Sequence, residues 1–165
     1  MRPRIVLLAF VLGLLAIAGA ALATPGIGVL SAPVHARGTI EDRTSISRAG
    51  VELLLMSLRG TGQADIVTQS ISIAPGGTTG WHGHPGPVLV TIKSGELTVV
   101  YGDDRSCQGT TYRAGQSFVD FGNVKVHTAL NRGPTAVDFW ATYFVPGAPG
   151  SPFRIDAPAQ GNCGF

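Results

Sequence analysis

Gly80-Trp81-His82-Gly83-His84-Pro85-Gly86-Pro87-Val88-Leu89-Val90-Thr91-Ile92 sets two histidines two residues apart in a Gly/Pro-rich stretch that runs into an apolar segment. On an extended chain, residues i and i+2 face the same way. His82 and His84 therefore point to one side. Val88, Val90 and Ile92 share their parity, so the surface beside the two imidazoles is apolar. Ser94-Gly95 then closes the segment as a turn.

The same grammar continues on both sides. Upstream, Val67, Gln69, Ile71 and Ile73 alternate with Thr68, Ser70 and Ser72, and Pro75-Gly76-Gly77 ends the run. Downstream come apolar runs at 97–101, 118–121, 124–130 and 137–145, the last with Val137, Phe139, Ala141, Tyr143 and Val145 on one face. Short alternating runs separated by Gly, Pro and Asp predict strands. No long helix-period segment interrupts them, so the expected architecture is an all-β sandwich or closed barrel. The run at 51–58 is too short to read as strand or helix. Gly76, Gly77, Gly95, Gly115 and Gly122 fall at the turns, where positive φ is expected. Asn131 is expected to bond the backbone of the turn that follows 124–130.

Three histidines stand where a site can form. His127 lies in a later strand and can face His82 and His84 from the opposite wall. Three imidazoles can share one ion at about 2.0–2.1 Å each, which sets their nitrogens about 3–4 Å apart. His35 lies apart, in a Pro-rich stretch, and has no assigned role. Tyr101, Tyr112, Tyr143, Trp81, Trp140, Phe118 and Phe139 read first as barrel filling. Asp138 reads as solvated, and Asp120 as either a site group or a turn-bonding residue.

Gly76, five residues, His82-Gly83-His84 and then Gly95 resemble the first motif of the cupin family. Gly115 and Gly122, followed by His127 and Asn131, resemble its second. The resemblance implies a single-domain jelly-roll β-barrel over most of the chain, with His82, His84 and His127 as metal ligands. It also implies a ligand Glu at position 88 or 89, where this chain has Val88 and Leu89. Phe121 stands near the usual Pro of the second motif. Two readings follow. In one, three histidines hold a divalent metal ion: zinc, iron, copper, manganese or nickel. In the other, the barrel is a metal-free binding module. A neutral three-histidine set leaves the ion's charge uncancelled, so the expected ligand is a small anion. The resemblance implies dioxygenases, isomerases, decarboxylases and non-enzymatic binding or storage proteins, sometimes dimeric, and does not choose among them.

Composition limits the remaining classes. Of 165 residues, 44% are hydrophobic and 13% charged, which excludes a highly charged disordered chain. Twelve Lys and Arg, less Arg2 and Arg4 at the start, leave ten against ten Asp and Glu. No basic stripe is present, so nucleic acid is not an expected partner. Arg2 and Arg4 precede the apolar run 5–22, and Ala21-Leu22-Ala23 follows. This reads as a secretory signal helix cleaved after Ala23, or as a membrane anchor if uncleaved. The expected organisation is residues 1–23 signal, 24–47 flexible arm, 48–150 barrel and 151–165 tail. In an exported chain, Cys107 and Cys163 are expected to form a disulfide, with free thiols as the alternative in a reducing compartment.

Overall fold

The computed structural model describes residues 23–40, 63–161 and 163–165. The apolar run 5–22 and the ambiguous run 51–58 lie outside them. The described residues form eleven strands and no helix. The strands are β1 (Ile27–Ser31), β2 (Val34–Ile40), β3 (Ala64–Thr78), β4 (His82–Gly83), β5 (Val88–Ser94) and β6 (Glu96–Tyr101). The rest are β7 (Thr110–Arg113), β8 (Ser117–Asp120), β9 (His127–Leu130), β10 (Val137–Pro146) and β11 (Ile155–Asp156).

All pairings are antiparallel. The path β11-β4-β9-β3-β10-β5-β8 wraps into a nearly closed barrel, with β6 joined to β9 and β7 joined to β6. This is the all-β barrel expected from the alternating runs, with the jelly-roll form that the motif resemblance implies. Along β5, Val88, Val90 and Ile92 are buried, whereas Leu89 is 41% exposed. Along β10, Val137, Phe139, Ala141, Tyr143 and Val145 face inward as read. They meet Val67, Ile71, Ile73, Leu97, Val99 and Ala129 in one core. A second, smaller cluster of Trp81, Val100, Leu130 and Ala157 lies apart from it.

Three local expectations are corrected. The described part of the stretch expected to be a flexible arm forms β1 and β2, which pair along one edge of β3. The pairing is irregular, with breaks in register between Ile27 and Val29, where Gly28 stands, between Val29 and Ser31, and between Val34 and Ala36. Backbone pairing to a long neighbour replaces the missing side-chain period. Second, the run 124–130 is strand only from His127. Asn123 and Val124 take positive φ of 57° and 56°, so the chain turns there before entering β9. Third, Gly77 has no positive φ. It is glycine for space, because a Cβ there would sit 2.6 Å from Cγ2 of Ile73. Gly122 combines both needs, with φ of 71° and no room for a Cβ, which would run into the backbone of Gly86. Asn131 is buried and bonds the backbone of Ile73, Thr135 and Gly133, as expected of a turn residue.

The C-terminal stretch is part of the wall. Ile155 pairs with Gly83 and Asp156 with His82. The Ala157 N–H donates to the Trp81 carbonyl at 2.9 Å. Thr24 joins the same corner: its N–H donates to the Ala157 carbonyl at 3.0 Å, and its hydroxyl accepts from the Trp81 N–H at 2.8 Å. The indole of Trp81 donates to the Phe165 carbonyl and stacks on the Phe165 ring. Cys107 and Cys163 are bonded, with Cα atoms 5.6 Å apart, so the segment is a strap tied to the loop after β6. Such bonds are commonest in oxidising compartments.

Candidate metal centre

His82 and His127 are cross-strand partners, directly opposite one another in β4 and β9. His84 directly follows β4 and returns to the same side. The structure thus brings together all three histidines singled out in the sequence. Their ring centroids lie 4.5–5.2 Å apart, and one nitrogen from each falls within 4.8 Å of the others. This is looser than the 3–4 Å expected for ligands of a shared ion, so the rings must draw in by roughly 1 Å to close on one. Among the described residues no Asp or Glu joins the set. Val88 is buried and lines the cavity where the resemblance places a carboxylate, and Leu89 faces away.

The hydrogen bonds orient the rings. Nδ1 of His82 lies 2.9 Å from the Gly80 carbonyl, that of His84 2.8 Å from the Phe153 carbonyl, and that of His127 3.1 Å from the Lys125 carbonyl. A carbonyl only accepts, so each Nδ1 carries the proton and each Nε2 is left with its lone pair. Three neutral imidazoles with backbone-anchored Nδ1–H groups are the donor set a divalent transition metal requires. The residues present therefore fit such an ion, and nitrogen donors suit zinc, iron, copper or nickel.

Burial keeps these rings neutral. All three are 5–6% exposed. Burial lowers the His82 pKa well below the ordinary value, and His127 lowers it further. His84 is pushed down to about 3 by burial, against the opposing bond to Phe153. Burial lowers His127 too, with the Asp120 charge opposing. In the unfolded chain the same rings protonate near 6.5. Below that pH the unfolded state binds more protons, so stability falls as pH drops, until the folded rings themselves protonate. The expected slope for metal-free protein is about 1 kcal/mol per pH unit for each such histidine. Denaturant titrations at pH 7.5, 6 and 5 check this. A flat profile would mean that the rings are free to charge in the fold.

The histidines open into a cavity of about 490 Å³. Beyond them its wall is mostly apolar, including Val90, Phe118, Phe139 and Tyr143. Of the other aromatic residues, Trp81 is buried in the smaller cluster, and Trp140 is 41% exposed and packs on His35. Asp138 lies on the face opposite Val137 and Phe139, as read, and Ser94 donates to its carboxylate at 2.9 Å. Asp120 is buried on the cavity wall, with Oδ2 3.5 Å from Nδ1 of His127. Burial raises its pKa. Tyr101, beside His127, is pushed up to about 12 by burial and the Asp120 charge.

Sequence reading missed Phe153 and Arg154. Phe153 fixes His84 through its carbonyl. Arg154 lines the cavity, donating to the Thr79 carbonyl at 2.8 Å and pairing with Asp156 at 2.6 Å. Both sit in a Pro/Gly-rich stretch with no period. The available signal was Cys163, which could only bond Cys107 by carrying this stretch back onto the barrel.

Comparison with known proteins follows the same lines. A family model described as "Cupin domain" matches residues 69–143. A double-stranded β-helix protein from Klebsiella pneumoniae is similar at 27% identity, over 56% of this chain and 74% of that one, with a TM-score of 0.46. An RmlC-like cupin family protein from Methanocaldococcus jannaschii is similar at 18% identity, over 49% and 70%, with a TM-score of 0.42. No curated protein matches the chain.

Proposed function

Because this chain belongs to the cupin superfamily, we propose that it is an exported protein that holds one divalent metal ion on His82, His84 and His127 and binds a small anion beside it. The observation that carries the metal reading is the set of three buried imidazoles, each with Nδ1 on a backbone carbonyl. That bonding fixes the tautomer in which Nε2 can ligate. A bound ion would supply Lewis acidity at its open positions.

The support for an anionic ligand is the charge of the ion itself, since Asp120 and Asp156 on the cavity wall offset Arg154. The three rings are neutral, and Val88 adds no charge. Arg154 contributes a cation at the cavity wall, held in place by Thr79 and Asp156. The apolar wall beyond the histidines favours an anion with a hydrocarbon body over a fully polar one. Export rests on the N-terminal pattern of Arg2, Arg4 and the apolar run 5–22, and the Cys107–Cys163 bond supports it. A metal-free binding module is the second reading. The absent carboxylate and the 4.8 Å spread of the nitrogens favour it.

One preparation tests both halves. Protein expressed with its N-terminal residues and supplemented with zinc, iron, copper, manganese and nickel should begin near Thr24 by intact mass. It should carry no titratable thiol and about one equivalent of metal by elemental analysis. Metal far below one equivalent leaves the binding-module reading. A full-length, membrane-retained product removes cleavage in favour of an anchor.

A further inference from the structure

One buried polar atom of the cavity lacks a well-formed partner. Oδ2 of Asp120 makes no close hydrogen bond among the described residues, although the Tyr101 hydroxyl lies near the carboxyl group, and Asp120 is only 4% exposed. An unsatisfied buried acceptor costs ~1–3 kcal/mol, and more when charged. Oδ1 accepts from the Gly122 N–H at 3.1 Å, which shapes the turn. Asn or Ser would serve that turn without burying a charge. The second oxygen therefore needs its own explanation.

Its surroundings supply one. Oδ2 faces Nδ1 of His127 at 3.5 Å, while that nitrogen's proton is directed to the Lys125 carbonyl. Asp120 is also the cross-strand partner of Val88. Val88 stands where a ligand carboxylate is expected. The missing carboxylate and the poorly partnered one are thus neighbours on β5 and β8.

We propose that Asp120 is a positioning residue that places one negative charge behind His127, in place of the carboxylate ligand that Val88 cannot supply. The inference rests on the metal-binding reading of the three histidines. A carboxylate behind a ligating imidazole raises the ring's basicity and holds its orientation. It also offsets one of the ion's two charges without taking up a coordination position. The space beside Val88 then stays open to an incoming ligand.

Asp120→Asn tests this, because it keeps Oδ1 on the Gly122 N–H and removes the charge. Two quantities are measured on variant and wild type: zinc affinity by chelator competition, and azide affinity of the cobalt-loaded protein from its visible absorption. The variant should bind zinc roughly 10–100-fold more weakly. It should bind azide roughly tenfold more tightly, since less negative charge opposes the anion. A purely structural role moves both affinities downward or neither. Asp120→Ser, which also offers an acceptor to Gly122, should give the same pair of shifts. Unchanged zinc affinity, or azide binding that is equal or weaker in the folded variants, overturns the inference alone. So does failure of both metal-free variants to fold, which would assign Asp120 to the fold. A wild-type protein that takes up neither metal overturns the underlying reading as well.

Discussion

His127→Ala is expected to lose bound metal almost entirely while the barrel stays folded. Three nitrogen donors are the minimum of a stable catalytic-type site, and two leave the ion mostly to water. The loss should exceed the 10–100-fold typical of changes in the layer behind the ligands. His82→Ala should do the same, because His82 faces His127 directly across β4 and β9. The fold should survive because the core of Val67, Ile73, Ile92, Val137 and Val145 includes none of the ligands. Metal content and the thermal melt of metal-free protein, measured together, check the claim. Full metal retention in either variant would place the ion elsewhere. Collapse of the metal-free melt would make the histidines structural.

Cys107→Ala should have the second large effect, and it should reach the site. The bond closes a loop spanning 56 residues. In the chain-entropy model its removal costs ~4 kcal/mol. For a domain of this size that is a fall in melting temperature of roughly 10–20 °C. Metal affinity should drop as well, for a geometric reason. The strap ending at Cys163 carries the Phe153 carbonyl that holds Nδ1 of His84, and the Asp156 that pairs with His82. A looser strap leaves those rings less fixed. Reduction of the wild type should reproduce both shifts. A lower melting temperature with unchanged metal affinity would show that the β4–β11 pairing alone holds the strap.

Much of this was legible in the residues. The parity of His82, His84, Val88, Val90 and Ile92 gave one inward face, and β5 has that face. The alternation at 137–145 reads directly as β10. His127 was legible as a partner because a closed barrel must bring a later strand opposite. Other features had no local signature. β1 and β2 are strands because β3 offers a long edge, a property of the neighbour rather than of their own sequence. The place of Arg154 depends on a bond between residues far apart in the chain. Asp120 stayed ambiguous because its role turns on burial, and alternation in a four-residue strand does not say which end sinks into the wall. The spacing of the nitrogens was also beyond reach, since it depends on ring rotations that backbone carbonyls set.

The cross-strand pairing of His82 with His127 also bears on how fast the protein opens. The two residues are 45 apart in the chain, so the full ligand set exists only after β4 and β9 have met. Contacts between distant segments carry a closure cost before they give any return, and they tend to form late on the way to the native state. A metal ion held by those residues would thus do little to the refolding rate. Its stabilisation would appear as slower unfolding, because interactions absent from the transition state act on that limb of the kinetics. Loaded protein would then outlast metal-free protein against heat or proteases as a matter of lifetime rather than of how readily the chain folds.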